Sequence, residues 1–343
     1  MHLDLDAVRR TFLRSLLAGA VTLSGCGQNG GSSVGHSGSE AGPHDTAKSP
    51  RSTKGTIGLS VLTLTNPFFK EIAEKMSEEA RKHGYGVLVV SGEFDVAKQH
   101  NQVKDFIVKK VVAIALTPCD SKAIGAAIQE ANQSGIPVFT ADIACLAPGA
   151  KVVSHIATDN YSGGKEAGIA MIEALGESGG KIAILDHKVV ESCILRVQGF
   201  KEAIESHNRN RAAGRIQIVT ELPGGGVKDQ AFRVTEDLLQ AHPDLAGIFA
   251  INDPSALGAR AALEKTGKAN QVKIVGFDGQ PEGKQAIKDG KIHADPIQFP
   301  DRIGAETVRA IVRHFAGESV PPQLLIPTAL YRRGDAERDP TLR

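Results

Sequence analysis

The sequence predicts an α/β fold of two units, each a doubly wound parallel sheet with helices on both faces. Short β-branched runs alternate with amphipathic segments from Thr56 onward, and the runs are almost continuously apolar. Such strands are typical of parallel sheets buried on both faces, and right-handed crossovers between them give a doubly wound arrangement. The alternation repeats over a second stretch of similar length, which agrees with about two domains for 343 residues.

The elements of both units follow from this alternation. The first unit has the predicted strands TIGLSVL, GVLVVS, VVAIALT and PVFTAD, with predicted helices at Pro67–His83, Val96–Val108 and Ser121–Ser134. A junction is expected near Val152–Asn160. The second unit has predicted strands at Lys181–Asp186, Ile216–Leu222, Gly247–Asp253 and Lys273–Asp278. Its predicted helices are Asn160–Leu175, Ser192–His207, Lys228–Ala241 and Pro254–Thr266.

Residues 1–25 are predicted to be an export signal peptide rather than part of the fold. Arg9 and Arg10 precede the apolar run SLLAGAVTLSG, which is too short to span a bilayer. RRTFLR resembles a twin-arginine signal, and LSGC resembles a lipobox whose cysteine, Cys26, would carry a lipid. The alternative is an ordinary signal peptide with a chance cysteine. The Gly/Ser-rich residues 26–54 are predicted to be a flexible, lipid-anchored tether.

Charge and motifs argue against several classes of function. The full chain has a formal charge of +1, and residues 1–25 contain three Arg and two Asp, so the rest carries no net charge. A neutral chain has no broad attraction for nucleic acid. The sequence has no P-loop and no H-E-x-x-H motif, and its G-x-S-x-G match at residues 31–35 lies in the Gly/Ser-rich stretch rather than between a strand and a helix, so we expect no enzyme, no cofactor and no metal site. His155, beside Ser154, is expected to form a structural hydrogen bond.

Three cysteines follow Cys26, namely Cys119, Cys145 and Cys193. Their spacing matches no metal motif, and an odd number leaves at least one thiol without an intramolecular partner. We expect them to act as small buried apolar side chains, with a bridge between any two left open.

Several of the predicted strands end in an acidic residue, among them those that end at Asp142, Asp253 and Asp278. Asp favours the N-cap position of helices, and each of these residues could serve only that purpose. Ligands of open α/β sheets, however, bind beyond the carboxyl ends of the strands. Because the three residues are spread over both units, the pattern also favours a shared ligand site.

Two adjacent aromatic residues, Phe68 and Phe69, follow the pair Asn66-Pro67 where a strand should become a helix. The chain has only 12 Phe, 3 Tyr and no Trp, so two aromatics together at a loop need an explanation. They could be core residues of a helix that begins with proline. They could also form the aromatic wall of a ligand pocket, and the pattern alone does not separate the two.

Seven longer motifs follow one another along the chain. They are TLTNPFFKEIAEKMSEEARKHGYGVLV, GIPVFTAD, VVSHIATDNYSGGKEAG, RVQGF, AHPDLAGIFAINDPSALGA, VKIVGFDGQPEGKQAIKDGKIHA and IQFPDRIGAETV. From Gly55 to about Leu330 the sequence resembles the periplasmic sugar-binding proteins of ABC transport, in particular the ribose-binding-like members. The resemblance implies the type I periplasmic-binding-protein fold, in which two doubly wound lobes are joined by a three-segment hinge.

The resemblance also implies the limits of the lobes. The N-terminal lobe would comprise residues 55–157 and 299–326, and the C-terminal lobe residues 158–298 and 327–335. The last helix, Pro300–Ala316, would therefore return to the N-terminal lobe.

Eight residues would contact a sugar if the resemblance holds. Aromatic rings would cover the apolar C–H faces of the sugar, while polar side chains bind its hydroxyl rim. An ionised Asp accepts two hydroxyl donors, and Arg donates a fixed fork of N–H groups. The implied ligand-binding residues are Asn66, Phe68, Phe69, Asp142, Arg196, Asn252, Asp278 and Gln298.

Three positions depart from the ribose-binding pattern. Ile143 stands where those proteins have Arg, Leu62 where they have Ser, and, on a gapless alignment, Gly226 where they have Phe. We therefore expect a pocket that is less polar on the first lobe and roomier on the second. A larger sugar, a deoxysugar or a polyol should bind better than ribose.

The function implied is that of an exported substrate-binding protein that closes around a monosaccharide or related polyol and delivers it to a membrane ABC permease. We expect a monomer in the periplasm or cell envelope that contacts the membrane through its lipid anchor. The alternative is an exported sugar-sensing input for a chemoreceptor or histidine kinase, which would use the same pocket. A repressor of the related regulator family would need an N-terminal helix-turn-helix, and that position holds the signal and the tether.

Overall fold

The computed structural model describes residues 54–209 and 211–343. The predicted export signal, Cys26 and the predicted tether as far as residue 53 lie outside the described residues.

Strands and helices alternate through the described residues, as the hydrophobic pattern predicts. The strands are β1 (Thr56–Val61), β2 (Gly86–Ser91), β3 (Ala113–Leu116), β4 (Val138–Ala141), β5 (Ser154–Thr158), β6 (Gly180–Asp186), β7 (Ile216–Pro223), β8 (Leu245–Ala250), β9 (Lys273–Val275), β10 (Ala294–Ile297), β11 (Gln323–Ile326) and β12 (Ala329–Arg332). The helices are α1 (Pro67–Lys82), α2 (Val96–Val108), α3 (Gly125–Gln133), α4 (Asn160–Leu175), α5 (Glu191–Asn208), α6 (Lys228–Ala241), α7 (Asp253–Lys265), α8 (Pro281–Lys288), α9 (Pro300–Phe315) and α10 (Arg333–Arg338).

The first sheet has the strand order β11-β5-β4-β3-β1-β2, and all its neighbouring strands are parallel. Its inner strands β3, β4 and β5 bury every side chain, because helices cover both faces. Helices α1 and α9 pack together on one face, and α2 contacts α3. We call this sheet and its helices the first lobe.

The second sheet has the strand order β12-β10-β9-β8-β6-β7. Its strands are parallel except for the edge pair of β10 and β12, which is antiparallel. Helices α4 and α5 pack against each other, as do α6 and α7. This sheet and its helices form the second lobe.

The chain passes between the two sheets three times. The crossings lie between β5 and α4, between β10 and α9, and between β11 and β12. Helix α9, although it follows the second sheet along the chain, packs on α1 and on β4 and β5 of the first. Two parallel-sheet lobes with three connecting segments confirm the predicted fold class.

Helix starts are set by residues that local chemistry favours there. The side chains of Asn66, Asp95, Asp159 and Asn252 accept backbone N–H groups at the first turns of α1, α2, α4 and α7. These bonds satisfy N–H groups that have no partner within the helix. At α3 the prediction was wrong by four residues. Asp120 Oδ1 accepts the N–H groups of Lys122 and Ala123, both at 2.8 Å, and holds a turn before the helix begins at Gly125.

No helix in the described ranges is both long enough and apolar enough to cross a bilayer.

Candidate ligand-binding site

A cavity lies between the carboxyl ends of the two sheets, where parallel α/β sheets bind their ligands. Its volume is about 40 Å³, which holds a few water molecules and is below the usual range of small-molecule sites. We call it the central cavity. Its lining residues are Leu62, Asn66, Phe68, Phe69, Phe94, Asp142, Ile143, His187, Val190, Ser192, Cys193, Arg196, Gly226, Ile251, Asn252, Asp278 and Gln298.

All eight residues predicted by resemblance are brought together in this lining. Asn66, Phe68, Phe69 and Asp142 come from the first lobe. Arg196, Asn252 and Asp278 come from the second lobe, and Gln298 lies on the crossing between β10 and α9. A ligand in the central cavity would therefore touch both lobes and one of the segments that join them.

The start of α1 places the two aromatic rings. Asn66 Oδ1 accepts the N–H of Phe68 at 3.0 Å, and Pro67 takes the first helical position, where an N–H would have no helical partner. Phe68 and Phe69 are turned inward, with 2% and 6% of their surface exposed. Their rings meet edge to face, with centroids 5.2 Å apart. The pair belongs to the hydrophobic core and also forms part of the cavity wall.

Asp142 sits in a strained turn directly after β4. Its backbone φ is +65°, and Ile143 N–H bonds back to Ala141 O at 2.7 Å, which closes a turn of three residues. The backbone N–H of Asp142 donates to Ile156 O at 2.8 Å and fixes the residue to β5. Its side-chain Oδ1 is buried and has no hydrogen-bond partner among the described residues. Burial raises the pKa of this carboxyl to about 7, with nearby Arg196 acting in the opposite direction.

Arg196 is held rigidly at the start of α5. Its Nε donates to Asn160 Oδ1 at 2.8 Å, and one terminal nitrogen donates to Ile251 O at 2.7 Å and to Asp278 Oδ1 at 3.0 Å. The guanidinium also stacks over the ring of Phe277, 3.9 Å from its centroid. Helix α4 can approach this closely because Gly164 lies against the backbone of Arg196, where a Cβ would not fit.

Asp278 links the arginine to a crossing segment. Its Oδ1 accepts both Arg196 and Gln298 Nε2, the latter at 2.6 Å. Gln298 Oε1 in turn accepts the hydroxyl of Thr158 at 2.6 Å, at the end of β5. Burial raises the pKa of Asp278, while Arg196 and Gln298 lower it. The network therefore connects a charged cavity residue to two of the three segments between the lobes.

Asn252 caps helix α7 and also lines the central cavity. Its Oδ1 caps α7 by accepting Ser255 N–H at 3.0 Å, and its Nδ2 donates to Gly226 O at 3.0 Å. Gly226 has φ +70°, and a side chain there would point at the amide of Asn252. Of the acidic residues singled out at strand ends, Asp253 is the first residue of α7, whereas Asp142 and Asp278 cap no helix.

Several lining residues were not predicted from sequence. Phe94 follows β2 with φ +59°, and its ring meets His187 of the second lobe edge-on, with centroids 6.3 Å apart. Burial lowers the pKa of His187, which favours its neutral form. Val190, Ser192 and Cys193 add to the same wall. A positive φ at an aromatic residue is uncommon, but it has no clear sequence signal.

The lobes are in direct contact beside the central cavity. Ser121, in the turn before α3, donates its backbone N–H to Val189 O at 2.9 Å. Its hydroxyl oxygen accepts Glu191 N–H at 2.9 Å. Ser121 itself is buried. The structure is thus a closed arrangement, in which the two lobes meet on this side of the central cavity.

Two buried polar pairs lie outside the cavity lining. His155 Nδ1 and Thr140 Oγ1 are hydrogen-bonded at 2.9 Å, in line with the expected structural bond, and burial lowers the pKa of His155 to about 4. Asp253 and Asp295 are both fully buried, and burial raises the pKa of Asp295 to about 6. The pKa of Asp253 is raised well above its usual value by burial and by the charge of Asp295.

Cys119, Cys145 and Cys193 are free thiols. Burial raises the pKa of Cys119 and Cys193 to about 12 and also raises that of Cys145. Over the ranges that the structure describes, His, Cys, Asp and Glu side chains form no cluster of three or more suited to a metal ion.

Comparison with known proteins agrees with this geometry. Residues 57–319 match the periplasmic binding protein domain family. The ribose import binding protein of Salmonella typhimurium is 39% identical over 267 residues, which is 78% of this chain and 87% of that protein. A periplasmic solute-binding protein of an ABC transporter from Actinobacillus succinogenes, solved with bound D-allose, has a TM-score of 0.75 at 28% identity and covers 83% of this chain and 100% of its own.

The Caulobacter myo-inositol binding protein, solved with myo-inositol, has a TM-score of 0.76 at 26% identity and covers 85% of this chain and 98% of its own. The matched family, these relatives and the two-lobed fold agree with the motifs read from the sequence. The chain belongs to the periplasmic binding protein family and is similar to its ribose-binding-like, sugar-binding members.

Proposed function

We propose that this chain captures a monosaccharide or related polyol in the central cavity and delivers it to an ABC importer, without converting it chemically. One observation carries the proposal: a cavity between the lobes that both lobes line with aromatic rings and hydrogen-bonded charged groups. The lining matches the surface of a sugar, which has apolar C–H faces and a rim of hydroxyls. The names of the relatives, which mention ribose import, D-allose and myo-inositol, support this class of ligand.

The eight predicted residues divide the contacts by chemistry. Phe68 and Phe69 would cover a C–H face of the ligand. Asp142 and Asp278 would accept hydroxyl donors, and Arg196 would hold Asp278 in place. A ligand that lacked the matching hydroxyl would leave a buried charged group without its bond, which is how such a site discriminates.

Capture would proceed by closure of the lobes around the ligand. The closed form alone brings both sets of contacts together, so a ligand that bridges them shifts the population toward it. Affinity near 1 μM corresponds to about −8 kcal/mol, which a few charge-assisted bonds and one covered ring face can supply after ordering costs. We propose that the hinge lies where residues 55–157 and 299–326 meet residues 158–298 and 327–335.

The ligand is proposed to be larger or less hydroxylated than ribose. Leu62 and Ile143 give the first-lobe side of the central cavity two apolar surfaces. Gly226 leaves the opposite side without a side chain. Calorimetry on a sugar panel tests this, and tightest binding by ribose would contradict it.

Export and anchoring complete the proposal. We propose that residues 1–25 direct export, by the twin-arginine route, and that lipid on Cys26 anchors the protein to the cell envelope through the tether. Mass spectrometry of the mature N-terminus tests this directly. A mass that matches a free, unmodified N-terminus would contradict the anchor.

The main test combines native mass spectrometry of freshly purified protein with calorimetry and small-angle scattering on sugars and polyols. We expect a bound small molecule, and compaction on rebinding after its removal. Phe69→Ala should weaken binding, whereas Leu325→Ala, at an exposed position, should not. Flat calorimetric traces and an unchanged scattering profile across the whole panel would refute the function.

A further inference from the structure

The carboxyl group of Asp142 lacks a counter-charge of its own. Its residue is 3% exposed, and its Oδ1 has no hydrogen-bond partner among the described residues. The backbone N–H of Asp142 donates to Ile156 O at 2.8 Å, which fixes the position of the residue at the end of β4. A buried charge without a partner is strongly disfavoured, and its presence at a ligand cavity indicates that a partner arrives with the ligand.

The neighbouring residues do not supply that partner. Leu62 and Ile143 on the first lobe are apolar, and Asn66 is an uncharged amide already engaged as a helix cap. No Lys or Arg of the described part of the first lobe lines the central cavity. The first-lobe wall therefore presents one carboxyl group surrounded by apolar surface.

The second lobe contributes one guanidinium, and Asp278 already neutralises it. Arg196 bonds to Asp278, to Asn160 and to the carbonyl of Ile251. The charged groups whose fields reach Asp142 are Arg196, Asp278 and Glu191, which is one positive group against two carboxyl groups. Burial lowers the pKa of His187, the remaining ionisable base in the lining, which favours its neutral form. With Asp142 ionised, the lining as a whole is short of one positive charge.

We propose that the preferred ligand is a hydroxylated molecule that carries a protonated amine, an amino sugar or an amino polyol, with its ammonium group against Asp142. This rests on the function proposed above and narrows its ligand class. An ammonium donates three hydrogen bonds and supplies the missing charge together. Hydroxyl groups of a neutral sugar can also donate to Asp142, but they bring no positive charge, so the lining keeps its net negative charge whenever Asp142 is ionised.

Matched pairs of ligands test the proposal by calorimetry at pH 7. The pairs are D-glucose with D-glucosamine, D-galactose with D-galactosamine, and D-glucitol with 1-amino-1-deoxy-D-glucitol. We expect the amine to bind at least about tenfold tighter than its neutral partner in the pair that fits best, as a charge-assisted bond to a buried carboxylate should give.

A proton competes with the ammonium for Asp142, which gives a second readout. Because the pKa of Asp142 lies at about 7, its ionised fraction rises from about a tenth at pH 6 to about a half at pH 7. Affinity for the amine should therefore rise about fivefold between these two pH values. The affinity of a neutral sugar should not rise in this way.

Two variants and one control separate charge from shape. Asp142→Asn removes the charge, and Ile143→Arg places a permanent cation beside it; each should abolish the preference for the amine. Glu74→Gln removes an exposed carboxylate from α1 and should leave the preference unchanged. Thermal unfolding checks that each variant is folded. If Ile143→Arg does not fold, the result for Asp142→Asn decides the question.

The outcomes distinguish this inference from the function on which it rests. Equal or tighter binding by the neutral member of every pair that binds overturns the inference and leaves sugar capture intact. Retention of the amine preference in Asp142→Asn also overturns it. If no member of any pair binds and no ligand of the wider sugar panel binds either, the proposed function is refuted as well.

Discussion

Replacing Asp142 with Asn should stabilise the ligand-free protein while it weakens ligand binding. In the folded protein the pKa of Asp142 is raised from 3.8 to about 7 by burial. A raised pKa means that the stability contributed by the protonated form is complete below pH 3.8 and is lost as pH rises through about 7. At pH 8 wild-type protein therefore bears the cost of an ionised buried carboxyl, and the Asn variant does not.

The magnitude follows from the two pKa values. The shift from 3.8 to about 7 costs about 4 kcal/mol at pH 8 and about 2 kcal/mol at pH 5. A buried amide has its own unsatisfied groups, which cost about 1–3 kcal/mol at any pH. That cost cancels when the two pH values are compared, so the advantage of the variant should grow by about 2–3 kcal/mol from pH 5 to pH 8. Asn also tolerates the positive φ at this position.

Urea unfolding at pH 5, 6, 7 and 8, followed by circular dichroism, measures this difference. Glu74→Gln, at an exposed site, should show no comparable growth with pH. A constant difference between wild type and Asp142→Asn across the pH range would refute the reasoning, because it would mean that the carboxyl does not titrate between these values. Reduced affinity in the stabilised variant would identify Asp142 as a residue kept for binding at the expense of stability.

Three further predictions follow from buried groups. His155→Gln should make stability depend less on pH in the acid range. Burial lowers the pKa of wild-type His155 from 6.5 to about 4, so the folded protein loses stability as pH falls below 6.5. Urea titrations should show a loss of about 2 kcal/mol between pH 7 and pH 5 in wild type and a smaller loss in the variant. A variant with the same dependence as wild type would contradict this. Asp295→Asn should raise the urea midpoint at pH 8 more than at pH 5, because it removes a buried carboxyl that ionises between these pH values and, with it, a charge that acts on Asp253. An equal change at both pH values would contradict this. Phe69→Ala should cost about 3–5 kcal/mol in unfolding free energy, because a buried ring is lost from the core, and the exposed Leu325→Ala should cost far less.

The fold was predictable because each local signal agreed with the tertiary structure. The apolar runs became buried parallel strands, and Asn66-Pro67 starts α1 as helix-cap chemistry requires. The errors occurred where distant groups decide the structure. The segment that forms β5 was predicted to be only a junction, because its polar residues Ser154, His155 and Thr158 do not look like those of a buried strand. In the structure each of them is hydrogen-bonded to a group from another part of the chain.

The candidate site was predictable where its residues lie in motifs that resemble those of a known family, and not where the two lobes meet. Resemblance to a family supplied all eight residues that the central cavity gathers. Phe94 and His187 reach the same cavity from loops on opposite lobes. Their proximity depends on how the lobes close, and no local pattern in the chain encodes that distance.

The burial of the native thiols has a practical consequence for optical reporters. At neutral pH almost none of Cys119 or Cys193 is present as thiolate, and the thiolate of Cys145 is also suppressed. A maleimide dye will therefore react preferentially with a cysteine introduced at an exposed position beside the cleft, such as Leu146 or Val189. A dye at such a position can report ligand capture as a fluorescence change, and Cys119, Cys145 and Cys193 need not be replaced.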